Sequence, residues 1–244
     1  MSAQLRSELL KARTTRTAAG LLLCAVALTL LGVFVEGLSS TVAELARAKQ
    51  QRLLLGAGSS GAGFFATFAG LVAVTAEFRY GTIRPTLLAE PRRRVVLAAK
   101  LAAAVPVGVV FAVVCLGLSF AAGFAILAAR GVDVAPTTAD LAGLALGAVA
   151  ATALGAMLGV AVGALIRNQL GAVLVVVAYA FLVDAVVFAA VPSVGRFLPG
   201  KAGDALSGRP VDHLLSPAGG GAVLVAWTIA LVVLAAVRTG RSDV

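Results

Sequence analysis

The chain has 244 residues, 60% of them apolar and only 13% charged, against about 25% charged in an ordinary soluble domain. A water-soluble fold cannot hide that much hydrocarbon, so the composition excludes a soluble globular protein and reads as a membrane protein. A net charge of +9 would suggest nucleic acid in a soluble protein; here topology accounts for the excess, and no nucleic-acid partner is expected. Cys24 and Cys115 fall in apolar runs and read as small buried hydrophobes. With His213 the only histidine, no Cys/His cluster exists to build a zinc site.

Residues 2–16 carry Leu5, Leu9 and Ala12 on one helical face, with Arg6, Glu8, Lys11, Arg13 and Arg16 around the rest. This pattern predicts an interfacial helix. The apolar run from Ala18 to Val35 is as long as a true span and lacks a convincing cleavage site, so it is expected to be retained. The first span is placed at 17–38, long enough for the ~30 Å hydrocarbon core. Residues 39–55, with Glu44, Arg47, Lys49 and Arg52, read as an external loop that is helical in part. The second span, 56–76, clusters Phe64, Phe65 and Phe68. These rings either pack the bundle or face a substrate path.

The stretch Glu77 to Lys100 reads EFRYGTIRPTLLAEPRRRVVLAAK. Its eight charges are expected in water or at the headgroups, because each would cost several kcal/mol in hydrocarbon. Six of them are basic (Arg79, Arg84, Arg92, Arg93, Arg94 and Lys100), and the positive-inside bias puts the segment in the cytoplasm. Gly81 and Thr82 break the apolar pattern, Ile83, Leu87 and Leu88 recur at helical spacing, and Pro91 forbids continuation. A short amphipathic helix under the membrane is the expected product. Arg92, Arg93 and Arg94 read as contacts to anionic lipid headgroups, and Lys100 as a lysine that snorkels to them. Glu77 is expected to pair with Arg79, Arg84 or a partner's basic group, or to stand as a simple helix-end charge.

The order Glu77, Gly81-Thr82-Ile83-Arg84, Leu87-Leu88, Pro91-Arg92-Arg93 and Lys100 resembles the first cytoplasmic loop of ABC-2 type permeases, the membrane subunits of type-2 ABC transporters. The resemblance is close over about twenty-five residues, and the hydropathy profile is similar over nearly the whole chain. It implies that residues 77–97 hold the family's coupling helix. Glu77, Arg79, Gly81, Thr82, Ile83, Arg84, Leu87, Leu88 and Pro91 would then face a separate ATPase subunit. Residues 7–17, SELLKARTTRT, likewise resemble the family's N-terminal elbow helix; a plain basic flank that orients the first span is the other reading. The resemblance further implies that two permease subunits, identical or homologous, assemble with two ATPase subunits that bind ATP and Mg.

The chain re-enters the apolar phase at Val95 and keeps it to Ala129, interrupted by Lys100 and Pro106. That is too long for one perpendicular span, so a helical lead-in, a kink at Pro106 and a third span at 103–127 are expected. Residues 130–140 return the chain outside. In the fourth span, 141–166, the residues Gly143, Gly147, Ala151, Gly155, Gly159 and Gly163 repeat every four positions. Such a smooth face lets another helix approach to backbone contact, either within the subunit or across a dimer. Arg167-Asn168-Gln169 reads as a tight turn. The fifth span, 170–191, holds Asp184, with three readings open: a hydrogen-bonded structural role, a substrate or gate role, and proton coupling. Residues 192–217 read as an external loop with half-helices dipping into the outer leaflet, and 218–237 as the sixth span.

With both termini cytoplasmic, that side holds Arg6, Lys11, Arg13, Arg16, Arg79, Arg84, Arg92, Arg93, Arg94, Lys100, Arg167, Arg238 and Arg241. These are thirteen of the twenty basic residues, as the positive-inside bias requires. The fold expected is an all-α integral membrane protein with six spans, an interfacial elbow helix and both termini inside, multi-pass in the cell membrane. No G-x-x-x-x-G-K-[ST] loop occurs, so ATP hydrolysis would belong to another subunit and no cofactor is expected on this chain. With one histidine in a loop and one membrane aspartate, catalysis on bonds is not expected either. The leading reading is therefore an exporter permease, with amphiphilic or apolar cargo favoured by a path of Phe, Leu, Val and Ala. A self-contained secondary transporter or channel using Asp184 is the alternative, and a structural membrane anchor the least economical reading.

Overall fold

The computed structural model describes residues 2–90 and 92–241; Pro91 lies outside them, as do the side chains of Arg84 and Leu87. Among the described residues the chain is helical and has no strand. In order come α1 (Ser2–Thr14), α2 (Arg16–Ser39), α3 (Val42–Leu45), α4 (Ala48–Arg79), α5 (Ile83–Ala89), α6 (Arg93–Ala129), α7 (Thr138–Ile166) and α8 (Gln169–Ala178). A π-helical turn (Tyr179–Asp184) joins α8 to α9 (Ala185–Ala190), and α10 (Pro192–Gly195), α11 (Pro199–Leu206) and α12 (Pro217–Arg241) follow. Among the described residues six helical stretches are long and apolar enough to cross a membrane: α2, α4, α6, α7, the composite Gln169–Ala190, and Pro217–Thr239 of α12. The shortest has 22 residues, about 33 Å at 1.5 Å per residue. The chain is an all-α, multi-pass membrane protein.

Local chemistry sets where the helices begin and end. Thr137 and Asp140 form a reciprocal capping box, each side chain taking the other's backbone N–H, and this starts α7. Arg167 ends α7 in a left-handed conformation (φ 59°), and Asn168 Oδ1 accepts the Gly171 N–H at 2.9 Å to start α8. Gly81 (φ 69°) turns the chain between α4 and α5. Two segments sharpen the sequence expectation of a partly helical loop and of a helical lead-in to the third span. The second span begins as helix already at Ala48, inside the supposed loop, and α6 runs unbroken from Arg93 through Pro106 to Ala129. Wholly buried Gln51 helps to explain the early start. It donates to the Leu45 and Asp133 carbonyls at 2.9 and 2.8 Å and accepts from the Ala135 N–H, so the first turns of α4 anchor two loops.

Helices α4, α6 and α7 form the centre, α2 packs on α4 and α6, and α12 packs on α7 and α11. The small-residue face of α7 is used within the chain. A Cβ at Gly155 would meet Thr67 Oγ1 at 3.1 Å, one at Gly159 would run into the Thr67 carbonyl, and one at Gly163 would meet the Leu71 carbonyl at 2.8 Å, all on α4. Gly147 faces the Leu206 carbonyl at the end of α11, and Ala151 packs beside Leu158, Ala202 and Leu224. Gly143 faces nothing within 4 Å. Of the two readings of this face, the intramolecular one holds for Gly147 to Gly163. Replacing Gly159 by Leu is expected to cost at least about 1–3 kcal/mol of overpacking, seen as a lower thermal midpoint in detergent. Gly143→Leu should leave the midpoint unchanged.

Candidate functional site

The end of the bundle that carries α5 also carries α1, the last turn of α4, the start of α6 and the C-terminal ends of α7 and α12. Leu5, Leu9 and Ala12 lie on the packed side of α1, as the amphipathic pattern requires, but Glu8 lies there with them and is 5% exposed. Sequence reasoning had grouped Glu8 with the charges around the rest of the helix. Its partner is Lys100 on α6, only 4% exposed, whose Nζ reaches Glu8 Oε2 at 2.9 Å and Glu77 Oε1 at 2.8 Å. Lys11 closes the figure, donating to Glu8 Oε1 at 2.8 Å and to Glu77 Oε1 at 2.7 Å. Four side chains from α1, α4 and α6 thus form a ring of alternating charge.

The ring corrects two expectations. Lys100 does not snorkel to the headgroups. It turns inward because two carboxylates compensate its charge there, and it also donates to the Ala73 carbonyl at 3.4 Å. Glu77 does not stand in water or pair with Arg79; it is 6% exposed and held by Lys11 and Lys100. Arg79 instead donates to Gln169 Oε1 at 3.2 Å and stacks near the Tyr80 ring. The signal missed was periodic: Leu5, Glu8, Leu9 and Ala12 share one face at i, i+3, i+4 and i+7.

Helix α5 is anchored at one end and open at the other. Ile83 is half-buried and lines a pocket together with Val74 and Phe78 of α4, Val96 and Leu97 of α6 and Ala164 of α7. Leu88, five positions on, points away at 85% exposure, and Tyr80 before the Gly81 turn is 71% exposed. Thr82 is also exposed. After Glu90, whose carboxylate accepts the Arg92 N–H at 3.2 Å, Arg92 and Arg94 are exposed, while Arg93 donates to the Thr239 carbonyl of α12 at 3.4 Å. Cations in the first turn of a helix oppose its dipole, so these arginines do not serve the stability of α6.

The remaining predicted residues gather toward the opposite end. Asp184, 6% exposed at the end of the π turn, accepts from the Tyr179 hydroxyl at 3.4 Å and lies 3.5 Å from Lys201 Nζ. Lys201 also reaches Asp204 at 3.6 Å, and Arg209 ties Asp204 (2.9 Å) to Ser60 of α4 (2.6 Å). A Cβ at Gly200 would strike the Asp184 carboxyl, so the first turn of α11 lies directly on it. Phe64 packs edge-on against Phe65 and Phe181 and tilted against Phe68, at centroid distances of 4.8–5.8 Å. The three predicted phenylalanines thus pack on one another, and Phe64 also joins the π turn to α4 through Phe181.

No family model matches the chain, and no curated protein matches it.

The ring sets a pH window. Burial would raise the Glu8 pKa, but the charge and hydrogen bond of Lys100, with those of Lys11, outweigh it and hold the carboxyl below its ordinary 4.5. Burial would lower Lys11, but its bonds to Glu77 and Glu8 hold it above its ordinary 10.5. The ring's contribution is therefore complete between those values. It is lost as pH falls through the depressed carboxyl value or rises through the elevated ammonium value. A nitroxide at position 12 should report an immobile α1 at neutral pH and a mobile one only below about the ordinary carboxylate range, with Glu8→Gln changing that acid limb. Lys100→Met leaves Lys11 alone to compensate two buried carboxylates and should cost roughly 3–5 kcal/mol in thermal stability. Glu8→Gln in the same chain is expected to recover part of the loss.

Proposed function

We propose that this chain is the transmembrane permease subunit of an ATP-driven ABC exporter of the ABC-2 type. In this reading α5 is the coupling helix, α1 is the elbow, and both termini lie in the cytoplasm of a cell whose plasma membrane the chain spans six times. The observation that carries the reading is α5. It is a two-turn helix set off by the left-handed Gly81, with Ile83 half-buried toward the bundle and Leu88 and Tyr80 exposed, on the end richest in basic residues. An exposed leucine and tyrosine beside a membrane surface suit a protein partner, and the order of residues around them is the order that resembles the family's loop.

The chain lacks a phosphate-cradling sequence, so ATP and Mg2+ are assigned to separate ATPase subunits and this subunit is not itself an enzyme. Closure of the ATPase dimer would push on α5. The load would pass to α4 through the Gly81 turn and to α6 through Ile83, with α1 carried along by the ring. A second permease subunit, identical or homologous, would complete the path for an amphiphilic or apolar cargo.

One observation favours a second reading, that of a secondary transporter or channel: an aspartate is buried in a π turn inside a span, and such turns recur at functional sites. It is the weaker reading because the Asp184 charge is met by Lys201 and the site is covered by α11.

Leu88→Asp tests the first reading without disturbing the core, since the side chain is 85% exposed. The variant should keep its thermal midpoint, yet bind an ATP-hydrolysing partner at least about tenfold more weakly and lose cargo-stimulated hydrolysis. Wild-type protein that is reconstituted alone and moves cargo without such a partner would overturn the reading.

A further inference from the structure

Between Tyr179 and Ala190 the fifth span carries a single charged residue, and that residue is the one it buries. Phe181, Leu182, Val183 and Val186 are exposed, no residue of α9 is buried, and Asp184 is 6% exposed. A helix docked by packing shows the reverse, with an apolar face turned inward. Here a carboxylate does the docking. Lipid removes the hydrophobic driving force between helices, so a segment with so little packed surface depends on the polar bonds it makes.

Those bonds can be exchanged. Lys201 Nζ lies 3.5 Å from Asp184 Oδ2 and 3.6 Å from Asp204 Oδ2, so α11 shares one ammonium between the fifth span and its own carboxylate. If Asp184 withdraws, Asp204 still compensates Lys201. Asp184 in turn keeps the Tyr179 hydroxyl, which belongs to the same segment and travels with it. The other fastenings are ring contacts: Phe181 stands edge-on to Phe64 at 5.8 Å, and Lys201 lies 5.1 Å from the Phe188 ring centroid. Helix α11 itself is fixed. A Cβ at Gly147 of α7 or Gly220 of α12 would run into its backbone, and Arg209 links Asp204 to Ser60 of α4.

The segment has a joint at each end. The π turn Tyr179–Asp184 interrupts the regular helix after α8, which is held in place by the Asn168 cap and the wholly buried Ala172. At the far end the chain turns at Val191 into Pro192, the first residue of α10. Gly195 of α10 lies directly on the Phe188 backbone, so α10 moves with the segment.

We propose that residues 179–190 are a swinging gate arm at the end of the bundle opposite α5, latched by Asp184 to Lys201. Release parts Phe181 from Phe64 and opens a lateral cleft between the arm, α4 and α11 toward the lipid. Lys201 on Asp184 is the closed state, and Lys201 on Asp204 the open one. Such two-position contacts turn a small displacement into a discrete change. The arm is independent of the ATP-driven reading above, since it rests on contacts within this chain.

The test uses the full chain in lipid nanodiscs, with Cys24→Ser and Cys115→Ala removing the native thiols. Nitroxides at Val186→Cys on the arm and Leu146→Cys on α7, both exposed positions, report their separation by double electron–electron resonance. A control pair, Ala48→Cys on α4 with Leu146→Cys, lies off the arm. In Asp184→Asn the population at a longer arm distance should rise. Asp184→Asn/Lys201→Met, which removes both charges of the latch, should show the same rise, and the control distance should stay put in both. An unchanged arm distance in the two variants would overturn the latch, because ordinary packing would then hold the arm. Broadening of the control pair together with the arm would also overturn it, because the charges would then serve the whole bundle. The double variant carries the test alone if Asp184→Asn does not fold.

Discussion

Two carboxylates and two ammoniums in a closed square hold one end of this molecule together. Each would be costly to bury alone, and each is acceptable only because the other three are present. Glu8 comes from α1, Glu77 from the last turn of α4 and Lys100 from the second turn of α6, while Lys11 closes the square from the solvent side. An amphipathic helix that lay on the membrane by its apolar face alone could slide or rotate there. The ring gives α1 a fixed address on the bundle, so the first span starts from a set position, and so does the turn into α5.

Much of the fold was legible in the sequence because the bilayer leaves few options. Backbone groups in hydrocarbon must be satisfied internally, so apolar stretches of about 20 residues have to be helices. The stripe from Gly147 to Gly163 announced a close helix contact, and the Gly81 turn announced the separate α5. The destinations of charged side chains were less legible. The reasoning that ionised groups avoid hydrocarbon sent Glu77 and Lys100, like Arg92 and Arg94, to water or the headgroups. It failed for the first two because their partners lie on an element dozens of residues away, and sequence spacing says nothing about which helix a lysine will meet.

The same limit applied to Asp184. Its apolar surroundings marked it, but Lys201 and the first turn of α11 come from a stretch that reads as an external loop with half-helices, with no spacing that directs either to the carboxylate. Folded back on the span, that stretch covers the carboxylate. The π turn ending at Asp184 adds one residue to a helical turn and re-aims the side chains after it, a change with no periodic signature of its own. Gln51 was passed over for a similar reason: a lone glutamine at a helix start is unremarkable until the carbonyls of two loops converge on it.

The glycine stripe bears on how such a bundle can deform. Where α7 meets α4 the backbones touch, and no long side chain stands between them to swing aside and let one helix travel past the other. Close-packed interiors resist continuous shear, and this seam lacks even the rotamer freedom that softens ordinary interfaces. The pair therefore behaves as a single stiff spine, and whatever rearrangement the molecule undergoes has to be borne by the outlying helices, α2, the jointed fifth span and α12, moving about it.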